Sequence, residues 1–174
     1  MTRILLLYAT RGGSTAEVAN FMAKVLKDRA FDVDIQSAAN FTGDIHHYDA
    51  VILGSPIYKG IWMTSIWRTV RQLETQFRNR PIWGFSLCVR VLEPGGLDYA
   101  QANYLPHNLL DKLNLQDHCF FAGRLENLSL SQRNEFHETY DGRQGRKEGD
   151  YRDWKAIRSW TLQIAKHFEK TEAK

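Results

Sequence analysis

Ile4-Leu5-Leu6-Leu7-Tyr8-Ala9-Thr10-Arg11-Gly12-Gly13-Ser14-Thr15 is the stretch that decides the fold. Its first five residues form an apolar run without polar alternation, the pattern of a strand buried on both faces. The run stops at a loop of small and hydroxylated residues. A helical pattern follows at once, with Val18, Phe21, Met22, Val25 and Leu26 on one face. A buried strand feeding an amphipathic helix through so short a loop is the opening of a βαβ unit.

The rest of the chain continues the alternation. Phe31–Gln36 alternates polar and apolar residues, as a half-exposed strand does. Tyr48–Gly54 and Ile82–Val89 are further buried runs, and His118–Gly123 is the last strand candidate. Helical spacing recurs at Ile66, Val70, Leu73 and Phe77, between Leu97 and Leu113 around Pro106, and at Trp154, Ile157, Thr161, Ile164 and Phe168. This predicts an α/β fold: a doubly wound five-stranded parallel sheet of order 2-1-3-4-5, helices on both faces, the alternating strand at an edge. Residues 1–174 read as a single domain. Arg124 to Asp153 is polar, carries both charges and lacks periodicity, so it reads as an insertion before the last helix.

Composition narrows the function classes. The 174 residues are 43% hydrophobic and 25% charged, which excludes a disordered or coiled-coil chain. A net charge of +3 is too small for a nucleic-acid-binding face. Cys88 and Cys119 stand apart with no CxxC spacing, so neither a metal site nor a thioredoxin-type pair is expected. Both lie in apolar runs, as free thiols of a reducing compartment do. No run is long enough for a transmembrane segment or a signal peptide, and the expected location is cytoplasmic.

In open parallel sheets, ligands bind beyond the carboxyl ends of the strands where the strand order reverses, here between the first and third strands. The most unusual loops follow those strands. In Thr10-Arg11-Gly12-Gly13-Ser14-Thr15 the helix's first amides are free to meet an anion, the glycines permit close approach, and three hydroxyls add donors. No Lys precedes Ser14 or Thr15, so this is not a triphosphate loop, and it is not GxGxxG. Neutral donors suit a monophosphate. The plainer alternative is a turn in which Ser14 or Thr15 caps the helix. Gly54-Ser55-Pro56-Ile57-Tyr58-Lys59-Gly60-Ile61-Trp62 offers Tyr58 or Trp62 to a flat ring, while Trp62 as a core residue is the alternative. Gly60 allows an unusual backbone angle. Leu87-Cys88-Val89-Arg90-Val91 would flank the same ring.

These loops, with Asp153-Trp154 opening the final helix, resemble the flavodoxin-like family, in particular the branch that includes menaquinone-dependent protoporphyrinogen dehydrogenase. The resemblance implies noncovalent FMN. It places Thr10, Gly12, Gly13, Ser14 and Thr15 at the phosphate, with Arg11 in the same loop. Pro56, Ile57, Tyr58, Lys59 and Gly60 lie around the isoalloxazine, and Leu87, Cys88, Val89 and Arg90 at its other edge. It further implies a flavin-dependent dehydrogenase acting on a small aromatic substrate with a quinone acceptor, or an electron carrier serving a redox partner protein. Peripheral membrane contact is compatible with either. The chain departs from that branch at Arg124–Asp153, which has little apolar content.

Arg11, Lys59 and Arg90 stand in the three loops where a low-potential carrier would place carboxylates, so two-electron chemistry at a less negative potential is expected. No protein acid or base is evident: His46 and His47 precede the third strand at the wrong end of the sheet, and His107 and His118 read as isolated. A phosphorylation-dependent receiver of the same strand order would need acidic residues where Thr10–Thr15 and Ser55-Pro56 stand.

Overall fold

The structure is a computed structural model that describes residues 1–105, 107–125 and 148–172. The elements are β1 (Arg3–Tyr8), α1 (Ser14–Lys27), β2 (Asp32–Ser37), β3 (Ala50–Tyr58), β4 (Ile61–Trp62), α2 (Thr64–Gln72) and α3 (Glu74–Arg78). They continue with β5 (Ile82–Leu87), a 3-10 turn (Val89–Leu92), α4 (Gly96–Tyr104), α5 (His107–Leu110), β6 (Leu115–Phe121), β7 (Arg124–Leu125), β8 (Gly149–Asp150) and α6 (Trp154–Glu172). The main sheet runs β2-β1-β3-β5-β6, all parallel, with β4 added antiparallel to β3. This is the doubly wound order expected, with β2 at an edge.

The continuous apolar runs follow from a sheet covered on both sides. In β1, Ile4 and Leu6 face the α1/α6 layer while Leu5 and Leu7 face the α2/α3 layer, and all four are fully buried. β3 repeats this with Ala50 and Ile52 on one side and Val51 and Leu53 on the other. Either face of such a strand is a core face, so these positions are apolar on both sides.

Two helical patterns resolve into more than one helix. The stripe Ile66–Phe77 is broken at Leu73 (φ −113°, ψ 19°), which re-aims the chain so that Val70 and Phe77 both stay buried in one core. The Leu97–Leu113 stretch ends its first helix at Tyr104, because Leu105 is extended (φ −69°, ψ 126°) as a residue before proline must be. Pro106 itself lies outside the described residues.

Of the expected insertion, 126–147 lies outside the described residues. Its two flanks pair with each other as an antiparallel ribbon, Arg124 opposite Asp150 and Leu125 opposite Gly149. This ribbon stands beside the amino end of α1, where the Arg124 N–H meets Ser14.

Candidate functional site

The loop between β1 and α1 is shaped by its own side chains. Thr10 Oγ1 accepts the Gly13 N–H at 3.0 Å, closing a tight turn. Gly13 then takes a left-handed conformation (φ 86°) and stands at the N-cap of α1, with no side chain capping the helix. The alternative of Ser14 or Thr15 as the cap is thereby replaced: both lie inside the first turn. Among the described residues, a Cβ built at Gly12 or Gly13 would meet nothing within 4 Å. Among the described residues the space over the two glycines is therefore open, and the first amides of α1 border it. Thr15 is buried at the base of this turn.

The second loop is a hairpin, which the sequence reading did not anticipate. Ser55, Pro56, Ile57 and Tyr58 continue β3, and Tyr58 pairs with Ile61 across a two-residue turn. Lys59 (φ 51°) and Gly60 (φ 80°) are both left-handed, as a type I′ turn requires. Ser55 Oγ accepts the Met63 N–H at 2.9 Å and anchors the hairpin base. Trp62 is 1% exposed, so it cannot stack on a ligand and belongs to the core. That leaves Tyr58. Its ring lies under the Arg11 guanidinium, 3.9 Å from the ring centroid, and this contact joins the first loop to the second.

The third loop closes the far side. Cys88 and Ala100 form a small core with Ile57 and Tyr104 packed on it, and Tyr104 also lies against Gly60. Cys88 is buried, and burial pushes its thiol up to about 11, so it is an inert side chain at neutral pH. Arg90 and Glu93 form an ion pair at 3.3 Å, and the Arg90 guanidinium sits 4.4 Å from the centre of the Tyr99 ring. Its charge is thus met by a carboxylate of its own loop, which tempers the expectation of a cationic surrounding from Arg11, Lys59 and Arg90. Val89 opens the 3-10 turn and Leu87 ends β5. A Cβ on Gly123 would lie 3.5 Å from Ser14 Oγ and 3.7 Å from Leu87 Cβ, so the ends of β5 and β6 meet the first loop there.

Beneath the hairpin runs a buried polar chain. Trp62 Nε1–H donates to Ser86 Oγ at 2.7 Å, and Ser86 Oγ lies 3.0 Å from His118 Nε2. His118 is therefore not isolated, contrary to the sequence reading. Burial lowers its pKa to about 4, with Asp117 opposing, so the ring is neutral at pH 7. Ser86 can then donate its one hydrogen to Nε2 while accepting from Trp62.

Three contacts at the first loop also escaped the sequence reading. Arg124 N–H donates to Ser14 Oγ at 3.2 Å, and Glu17 pairs with Arg124 and Arg152, both at 2.7 Å. Asp153 caps α6, accepting the N–H groups of Lys155 and Ala156 at 2.9 and 3.0 Å. The two charged partners of Glu17 are 107 and 135 residues away in sequence, which no local pattern announces. Among the described residues, no cluster of His, Cys, Asp and Glu could hold a metal ion, and no helix is long and apolar enough to cross a membrane.

A β2-β1-β3-β5-β6 sheet with an open glycine cradle after β1 and a tyrosine hairpin after β3 defines a class, and the chain belongs to it: the flavodoxin-domain family, whose family model matches residues 5–149. Among curated proteins it is similar to the protoporphyrinogen IX dehydrogenase [quinone] of Escherichia coli (strain K12), 23% identical over 175 residues that span 94% of each chain. Among solved structures it resembles the Fusobacterium nucleatum flavodoxin bound to flavin mononucleotide (TM-score 0.55, 19% identity, 96% of this chain and 99% of that one). It also resembles a short-chain flavodoxin associated with a non-canonical PDU bacterial microcompartment (TM-score 0.56, 14% identity, 80% of this chain and 96% of that one).

Proposed function

We propose that this chain binds FMN and acts as a flavin-dependent dehydrogenase on a flat hydrophobic substrate of the protoporphyrinogen type, with a quinone as acceptor. The observation that carries the reading is the meeting of the open Gly12-Gly13 cradle with Tyr58 through Arg11, at the carboxyl ends of β1 and β3. The cradle suits a phosphate monoester: the first amides of α1 and the hydroxyls of Thr10 and Ser14 are neutral donors beside it, with the Thr15 hydroxyl buried at its base. Gly12 and Gly13 let the ester approach the backbone.

The flavin supplies the redox chemistry when bound. The protein binds, orients and shields it. Pro56, Ile57, Tyr58, Lys59 and Gly60 form the hairpin wall on one side. Leu87, Cys88, Val89 and Arg90 form the opposite wall, held in place by the packing of Ile57 and Tyr104 against Cys88 and Ala100. Ile61, Leu92, Leu97 and Tyr99 are exposed on the hairpin, the 3-10 turn and α4, and an apolar rim of this kind suits a lipophilic reaction partner. The alternative is an electron carrier between proteins, a reading favoured by the flavodoxins among the structural relatives.

Purified protein is expected to be yellow, with the absorption spectrum of a bound flavin. Turnover of protoporphyrinogen with a quinone analogue is expected, and its absence from flavin-loaded protein would leave the carrier reading. Ser14→Ala combined with Thr15→Val is expected to weaken FMN binding by ~1–3 kcal/mol, the cost of donors lost to a charged group. Fluorescence titration reads this directly, and unchanged affinity would place the phosphate elsewhere.

A further inference from the structure

We propose that Arg152 is a positioning residue for the phosphate cradle, acting from outside it through Glu17 and Arg124 on Ser14. The inference rests on the FMN reading above and adds to it a device that sets how well the cradle is formed.

The geometry is a closed circuit of contacts. Arg152 is only 3% exposed at its side chain, which is unusual for an arginine at the edge of a fold. Its guanidinium donates to both carboxylate oxygens of Asp150 (2.8 and 2.6 Å) and to Glu17 Oε2 (2.7 Å). It also lies 4.5 Å from the centre of the Trp154 ring, which in turn packs at 4.9 Å on Phe21 of α1. Glu17 receives a second guanidinium through its other oxygen, from Arg124 at 2.7 Å. These hydrogen bonds, with Arg152 first, hold the Glu17 carboxyl below the ordinary carboxylate range, and the bond from Arg152 does the same for Asp150.

The consequence reaches the cradle by one bond. Arg124 N–H donates to Ser14 Oγ. A hydroxyl that accepts this amide keeps its single hydrogen for donation to another acceptor. Arg124 and Asp150 are opposite each other in the β7–β8 ribbon, so Arg152 fixes one strand of the ribbon and, through Glu17, fixes the other against the first turn of α1. Without Arg152, Glu17 keeps only the Arg124 guanidinium, the ribbon loses one of its ties to α1, and the Arg124 amide is held less firmly on Ser14.

A second physical effect would act in the opposite sense for one of the residues. Glu17 is a negative charge in the first turn of the helix whose amino end would meet a dianionic ester. If its role were merely that of a charge to be neutralised, its removal would tighten FMN binding. Positioning predicts the reverse. This contrast separates the two.

The test is to titrate apoprotein with FMN and with riboflavin, which lacks the phosphate, using flavin fluorescence. Arg152→Gln and Glu17→Gln are each expected to weaken FMN binding on the order of tenfold, the size of one hydrogen bond to a charged group, while riboflavin affinity changes less than about twofold. The FMN-to-riboflavin ratio reports the cradle alone, because a general loosening of the fold weakens both ligands together. Equal weakening of both, an unchanged FMN affinity, or tighter FMN binding by Glu17→Gln would each overturn the positioning role and leave the FMN reading intact. Wild-type protein that binds neither flavin overturns that reading and this inference with it.

Discussion

Gly54→Ala is expected to destabilise the protein by ~3 kcal/mol or more, at the upper end of what overpacking a core costs. Gly54 on β3 lies opposite Phe85 on β5, and the phenyl ring covers the glycine. A Cβ there would stand 2.2 Å from Phe85 Cζ and 2.3 Å from Cε1, far inside contact distance. The ring cannot swing away, because Phe85 is fully buried and packs on Trp160 with ring centres 6.5 Å apart. Thermal unfolding should show a midpoint lower by roughly 10 °C for a chain of this length. Adding Phe85→Leu should recover part of the loss, since the two changes share one space and their effects cannot be additive. A single mutant melting within about 2 °C of the parent would show that the ring has room to move.

Acid is expected to cost about 2 kcal/mol of stability between pH 7 and pH 5 through His118 alone. The folded-state pKa is lowered from an ordinary 6.5 to about 4, first by burial. In that interval the unfolded chain binds the proton and the folded chain does not, so stability falls as pH falls and the loss is complete only below about 4. Protonation would also give the ring two N–H donors, turning Nε2 against the hydroxyl hydrogen that Ser86 now donates. Urea unfolding at pH 7 and pH 5 measures the difference. His118→Gln should flatten it. The carboxylates held low by partners, Asp34 (mainly by the Tyr48 hydroxyl), Glu17 and Asp150, lose their stabilising contribution only at lower pH, so they leave this window clear. An equal pH dependence in the His118→Gln protein would assign the effect to other groups.

His118 also shows where reading residues in order stops working. Its neighbours in sequence are Asp117 and Cys119, and neither partners its ring. Its partner Ser86 lies 32 residues earlier, on the neighbouring strand, and Trp62 reaches the same hydroxyl from β4. The same holds for Gly84, which lies opposite His118: a Cβ there would stand 2.6 Å from its ring. Cross-strand pairing places these residues together, and pairing register is a property of the assembled sheet.

The hairpin was hidden for a different reason. Ser55 to Trp62 reads as a loop because a proline and a glycine punctuate it. The structure extends β3 through Pro56 and turns at Lys59-Gly60. Trp62 then goes inside because its indole N–H finds Ser86, while Tyr58 stays outside the core against Arg11.

The amino-acid order by itself determined the layered α/β architecture, the strand order and the loop after β1, because these follow from local periodicity and from which residues can tolerate burial on both faces of a strand. Only tertiary structure decided that Arg11 lies on Tyr58, that Arg90 is met by Glu93 and Tyr99, and that two distant arginines converge on Glu17. Ion pairs and ring contacts act over a few ångströms, and residues more than a hundred positions apart come within that reach only once the sheet has brought its carboxyl ends together.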